Sequence, residues 1–71
     1  MEFRLLRYFV AVAEELHFAR AAERLGVEQS PVSRAMRHLE ATLGVQLFDR
    51  SANQTRLTRA GQVFLGECRR V

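Results

Sequence analysis

Two residues with unusual backbone preferences, Gly26 and Pro31, divide the middle of the chain into two short amphipathic segments. Before them, Ala21, Ala22 and Leu25 share one face of a helix. Gly26 follows at the position where a left-handed backbone often ends a helix. Proline is tolerated in the first turn of a helix and breaks its interior, so Pro31 places the start of a second helix close by. The sequence therefore predicts two helices joined by a tight turn.

The second of these helices is predicted over about 28–43, with Gly44 as its stop. At about 100° per residue its apolar side chains fall in one narrow arc, made of Val32, Met36, Leu39 and Leu43. The opposite face is polar and basic, with two further polar residues on its flank: Ser30, Arg34, Arg37 and Ala41, then Gln29 and Ser33. Glutamine and arginine form bidentate hydrogen bonds with adenine and guanine edges, and serine reaches bases or phosphates.

This outward face has two interpretations. It is either an ordinary solvated helix surface or the reading face of a helix-turn-helix, which places its second helix in the major groove of DNA. The glycine-centred turn, the proline in a first helical turn and the scarcity of acidic residues on this face favour DNA readout.

A further helix is predicted before the turn, over Phe3–Glu15. Its apolar residues recur at helical spacing and are expected in the core: Leu5, Phe9, Val12, Ala13 and Leu16. Tyr8 is either part of that core or bonded to a polar partner. His17 is expected to cap the next helix.

After Gly44, the segments Val45–Phe48 and Thr55–Thr58 are rich in strand-forming residues, and the polar stretch Ser51–Gln54 separates them. Two short strands with a turn between them predict a β-hairpin, or wing, over about 45–58. Asn53-Gln54 is a weaker turn signal than Asn-Gly.

A last helix is predicted after Thr58, whose hydroxyl can cap it. Its apolar stripe is Ala60, Val63, Phe64, Cys68 and Val71. This stripe either packs inward on the first helix or forms a surface for a partner, most simply a second copy of the chain. Because the sequence ends inside the pattern, residues 59–71 are expected to be the truncated start of a linker or dimerisation helix, with residues 1–58 forming the preceding domain.

Composition restricts the class of protein. Seventy-one residues with 48% hydrophobic content make one small domain, which buries about 60% of the surface of its unfolded chain. The net charge is +3 and every basic residue is an arginine, which suits a polyanionic partner such as nucleic acid, although solubility alone explains such an excess equally well. Exposed aromatics for stacking on RNA bases are not evident.

Several other functions lack the residues they require. Cys68 is the single cysteine, so it excludes an internal disulfide and indicates a reducing compartment, with a buried thiol favoured over a redox sensor. His17 and His38 lack the spacing of a metal site. A nucleophile–base pair, a phosphate-binding glycine loop and a membrane-spanning apolar run are not found. We therefore expect a cytoplasmic, non-enzymatic protein without a metal or cofactor.

The order of elements and several short motifs resemble the amino-terminal domain of LysR-type transcriptional regulators. The motifs that carry the resemblance are Ala21-Ala22-Glu23-Arg24-Leu25, Ser33-Arg34, Leu39-Glu40, Leu43-Gly44-Val45 and Leu47-Phe48-Asp49-Arg50. The resemblance implies a mainly α, winged helix-turn-helix fold in a bacterial regulator that binds interrupted palindromes of double-stranded DNA as a dimer or tetramer. It also implies pairing of subunits through the carboxy-terminal helix, and a small-molecule effector domain that is absent from this chain.

The resemblance and the outward face together give the expected DNA-binding residues: Gln29, Ser30, Pro31, Ser33, Arg34, Arg37, Arg50, Asn53, Gln54 and Arg56. The family usually has a small hydroxyl residue where this chain has Glu28, an anion that we do not expect to contact DNA. The wing turn also lacks the basic residues of many relatives.

The alternative function is a winged-helix protein-interaction module, in which Val63, Phe64, Cys68 and Val71 would form a dimerisation surface without specific DNA binding. The arginine-rich outward face, which such a module does not need, favours DNA binding.

Overall fold

The computed structural model describes residues 2–51 and 54–70, which form four helices and one two-stranded hairpin. In chain order the elements are α1 (Phe3–Glu15), α2 (Phe18–Leu25), α3 (Gln29–Leu43), β1 (Phe48–Asp49), β2 (Arg56–Leu57) and α4 (Arg59–Arg69). The predicted winged helix-turn-helix fold is confirmed: α2 and α3 form the helix-turn-helix, and the hairpin is the wing.

Local signals in the sequence set the helix ends. The His17 Nδ1 accepts a hydrogen bond from the Arg20 backbone N–H at 3.2 Å, which confirms the expected cap of α2. Gly26 and Gly44 adopt φ of 72° and 74° and end α2 and α3, in the left-handed region where glycine is least strained. The Thr58 hydroxyl accepts from the Gly61 N–H at 3.0 Å and caps α4 as expected.

An aromatic cluster lies at the centre of the core. The Phe9 ring packs against Phe48 and Phe64, with centroids 5.5 and 4.9 Å away, and Phe18 packs edge-on against Phe48 at 5.8 Å. Because these residues come from α1, α2, β1 and α4, the cluster joins the wing and the last helix to the helix-turn-helix. Tyr8 is half-buried beside the core.

The predicted core of α1 is wrong at its end. Leu16 adopts φ of 53° just after the last helical residue, so its side chain leaves the apolar stripe and is 44% exposed. Ala11 is buried in addition to Phe9, Val12 and Ala13.

The predicted stripe of α4 is also wrong in part. Leu65 and Gly61 face the core and are buried, whereas Val63 is 62% exposed. Phe64 and Cys68 are half-buried against the core. The inward face of α4 is therefore rotated away from Val63, toward Gly61 and Leu65. Gly61 has no side chain, so a pattern of apolar residues does not include it.

The wing is shorter than predicted. Phe48 pairs with Leu57 and Asp49 with Arg56, in an antiparallel register of two residues per strand. Val45 does not extend β1, because its N–H and that of Gly44 both donate to the Glu40 carbonyl at the end of α3. Residues 44–47 thus connect the end of α3 to the start of β1.

Candidate nucleic-acid interface

Helix α3 presents its polar face to solvent because its apolar arc is fixed in the core. Val32, Met36 and Leu39 are fully buried, and Leu43 is half-buried. The predicted contact residues on the other side are exposed except for half-buried Ser33: Gln29, Ser30, Pro31, Arg34 and Arg37. With 15 residues the helix is about 22 Å long, and a helix of this kind enters a major groove about 12 Å wide.

Positive charge on this side of the molecule is not neutralised by the protein. Within residues 2–51 and 54–70, Arg34, Arg37 and Arg56 form no ion pair, and neither does Arg20. Glu14 of α1, in contrast, pairs with Arg24 of α2 and Arg69 of α4 at 2.8 and 3.0 Å. These two arginine partners hold the pKa of the Glu14 carboxyl below its ordinary value. Four of the arginines that are unpaired among the described residues thus lie on α3, on β2 and at the start of α2; the other two are Arg7 on α1 and Arg59 at the start of α4.

A groove between the start of α2, the start of α3 and the wing brings several of these side chains together. Gln29, Gln54 and Arg56 line it together with His17 and Arg20. Arg20 was not among the residues expected from the sequence. The signal that points to it is its place in the first turn of α2, since the first helix of a helix-turn-helix crosses the DNA backbone.

Two acidic residues lie next to the predicted contact residues: Glu28 before α3 and Asp49 in the wing. Glu28 is the extended residue before α3, is exposed and makes no side-chain cap. At the wing, the Ser51 N–H and hydroxyl donate to the Asp49 carboxylate at 2.9 and 2.6 Å, which lowers the pKa of that carboxyl. Asn53 and Val71 lie outside the described residues.

The Arg50 guanidinium is directed toward the protein and is not free in solvent at the wing. Its side chain is only 27% exposed and its guanidinium pairs with Glu40 at 3.1 Å. The same guanidinium lies over the rings of Phe18 and Phe48, at 5.5 and 5.7 Å from their centroids. The structure directs this cation into the protein, because a buried carboxylate and two ring faces attract it. That Arg50 supplies charge to DNA stays a prediction. Glu40, which holds this cation, was not singled out from the sequence.

The residues expected to form a dimerisation surface divide into two groups. Val63 is exposed, whereas Phe64 contacts Phe9 edge-on and Cys68 is half-buried beside α1. Burial, and then the charge of Glu67, raises the pKa of the Cys68 thiol. Phe64 and Cys68 therefore pack inward within this chain, and of the described residues in the set only Val63 is fully available to a partner.

The part of the chain that the structure describes lacks two further features. It contains no group of three or more His, Cys, Asp or Glu side chains placed to hold a metal ion. No helix in those residues is long and apolar enough to cross a membrane.

A helix-turn-helix with a hairpin wing and unpaired arginines on its outward helix defines a winged helix-turn-helix domain of the DNA-binding type. Residues 3–62 match the family model described as bacterial regulatory helix-turn-helix protein, lysR family. The chain belongs to the LysR family, as the resemblance in its motifs predicted.

Relatives with assigned names match over nearly the whole chain. The transcriptional regulator ShiR of Corynebacterium glutamicum (strain R) is 56% identical over 69 residues, covering 97% of this chain and 23% of the relative. TcbR of Pseudomonas sp. (strain P51) is 54% identical over 71 residues, covering 100% of this chain and 24% of the relative. The chain thus spans about a quarter of the length of these relatives.

Solved structures of the same fold include complexes with DNA. The DNA-binding domain of BenM bound to catB site 1 DNA superposes with a TM-score of 0.94 at 43% identity, covering 99% of this chain and 78% of that one. The CbnR DNA-binding domain–DNA complex gives 0.93 at 54% identity, with coverage of 99% and 80%. Full-length CbnR with its target DNA gives 0.92 at 54% identity, and this chain covers 24% of it.

Proposed function

We propose that this chain is the sequence-specific DNA-binding domain of a LysR-type transcriptional regulator. The observation that carries the proposal is the exposed face of α3, on which Arg34 and Arg37 have no acidic partner among the described residues. Family membership and the DNA complexes of BenM and CbnR support it.

In this proposal α3 lies in the major groove, where Gln29, Ser33 and Arg34 contact base edges and Ser30, Pro31 and Arg37 lie against bases or the backbone. The wing follows the adjacent minor groove or backbone, with Gln54 and Arg56 contacting phosphates and Asn53 at its turn. Arg20 contributes a phosphate contact from the first turn of α2.

The whole protein is proposed to be a transcriptional regulator rather than an enzyme, as its relatives are named, and to act on DNA in the bacterial cytoplasm. We propose that it binds interrupted palindromes as a dimer or tetramer, with subunits paired through the continuation of α4 and exposed Val63 near that interface. A small-molecule effector would act through a domain that this chain does not contain.

The test is selection from a pool of random DNA duplexes by this chain, followed by sequencing of the retained fraction at several salt concentrations. We expect an interrupted palindrome to be enriched, with binding that falls steeply as salt rises. Retention without enrichment would refute specific readout, and no retention at low salt would favour the protein-interaction module.

Arg34→Ala tests the assignment of α3 within that experiment. It should cost about 1–3 kcal/mol of binding to the enriched duplex and relax the preference at one base position. Arg7→Ala is the matched control, because Arg7 is an exposed arginine beside Cys68 and Leu25, away from the α3 face. Equal effects of the two variants would contradict the assignment.

A further inference from the structure

The side chain of Glu40 is buried and bonded to the wing. It is 6% exposed, near the end of α3. Its Oε2 accepts hydrogen bonds from the backbone N–H groups of Leu47 and Phe48 at 2.8 and 3.1 Å. Since β1 begins at Phe48, one carboxylate on α3 fixes the entry of the chain into the first strand of the wing.

Arg50 closes the arrangement from the other end of β1. Its Nη1 lies 3.1 Å from Glu40 Oε1 and 3.3 Å from Oε2, and 3.5 Å from the Gln46 side-chain oxygen. Its side chain is 27% exposed, and a partly buried ion pair is by itself weak evidence for a purely stabilising role.

We propose that Glu40 and Arg50 are positioning residues for DNA binding: together they hold the wing at a fixed place relative to α3. Glu40 holds the residues that enter β1, and Arg50 directly follows β1. Asp49 in β1 is the backbone partner of Arg56 in β2 in the antiparallel register. The position of Arg56, which forms no ion pair among the described residues, is therefore set from α3 through the Glu40 carboxylate.

Neutralising either member of the pair should release the wing without touching the reading face. In Glu40→Gln the new amide nitrogen is a donor placed among three donors, so its single oxygen cannot satisfy them all. Arg50→Gln leaves the two backbone bonds in place and removes the cation from the far end of β1. The second variant keeps the test open if the first fails to fold, which circular dichroism would show.

The experiment is a double-mutant cycle on the salt dependence of binding, using the duplex that the unaltered chain enriches. In the unaltered chain, Arg56→Ala should make the negative slope of log affinity against log salt shallower by about 1. In the Glu40→Gln and Arg50→Gln backgrounds its effect should fall to less than about half of that. The affinity loss caused by Arg34→Ala should stay the same in every background. If the pair only stabilised the fold, removing it would change the effects of Arg56→Ala and Arg34→Ala alike.

The matched controls are Glu67→Gln and Arg70→Gln, which neutralise an exposed pair at 3.4 Å at the carboxy-terminal end of α4. They should leave the Arg56→Ala effect intact. A full Arg56→Ala effect in both test backgrounds would overturn the inference, as would loss of the Arg34→Ala effect in them.

The inference rests on the proposed function, and the cycle separates their failures. If Arg34→Ala weakens binding and Arg56→Ala changes no slope, the positioned wing is refuted and the α3 assignment stands. If neither single variant affects binding, the proposed function fails.

Discussion

Gly61 lies in the first turn of α4 where that helix meets the segment leading into the wing. A Cβ at this position would collide with the Leu47 carbonyl oxygen and lie 2.9 Å from Leu57 Cδ2. The carbonyl belongs to the backbone and already accepts a hydrogen bond from the Thr58 N–H at 3.0 Å. Gly61→Ala must therefore displace α4 or the entry to β1, since no side-chain rotation relieves the overlap.

The magnitude follows from three contributions. Overpacking costs about 1–3 kcal/mol, and weakening the Thr58 hydrogen bond costs about 1 kcal/mol. Alanine gains up to about 1 kcal/mol over glycine within a helix. The free energy of unfolding should thus fall by about 1–3 kcal/mol, which lowers the Tm of a domain of this size by roughly 4–24 °C.

Gly66→Ala is the matched control, because Gly66 lies in the same helix, is exposed and has no neighbouring atom within 4 Å of the place that a methyl group would occupy. It should raise the Tm by up to about 4–8 °C through helix propensity. Thermal unfolding followed by circular dichroism, with urea titrations to confirm an unchanged m-value, measures both variants. A rise in Tm for Gly61→Ala equal to that of the control would refute the close approach of α4 to Leu47.

Two further predictions concern the surface. Ion pairs with Arg69 and a second arginine lower the pKa of the Glu14 carboxyl. This carboxylate therefore stabilises the fold above its ordinary pKa of 4.5, and the contribution is lost as the pH falls through the lowered pKa. In urea titrations, Glu14→Gln should be destabilising at pH 7 and neutral well below pH 4, whereas Glu23→Gln should have little effect at either pH. Val63→Asp should leave the stability within about 0.5 kcal/mol and weaken self-association in sedimentation equilibrium, whereas Phe64→Ala should cost about 2–3 kcal/mol of stability, somewhat less than for a fully buried ring. Self-association unchanged by Val63→Asp would exclude Val63 from a subunit interface.

Features governed by neighbours in sequence were predictable. The cap by His17, the left-handed Gly26 and the cap by Thr58 each depend on a few adjacent residues, and the structure has all three. The outward face of α3 followed from helical periodicity, because a regular helix fixes the relative directions of its own side chains.

Features that depend on distant residues were not predictable in the same way. The sequence of α3 alone suggests that Glu40 is a surface residue. It is buried because the chain after Gly44 folds back and places two backbone N–H groups and Arg50 against its carboxylate. The stripe of α4 was misplaced because Gly61 has no side chain to count, although its lack of one is what lets the helix approach Leu47. Leu16 continued a periodic pattern beyond the residue at which the backbone turned.

The wing is held at two points that belong to different helices. Its first strand is bonded to the end of α3, and its second strand leads into α4 with Thr58 alone between them. A hairpin attached at both ends to different helices cannot rotate about a single hinge. Its direction is therefore determined by the angle between α3 and α4, and that angle fixes where Arg56 lies relative to the exposed face of α3.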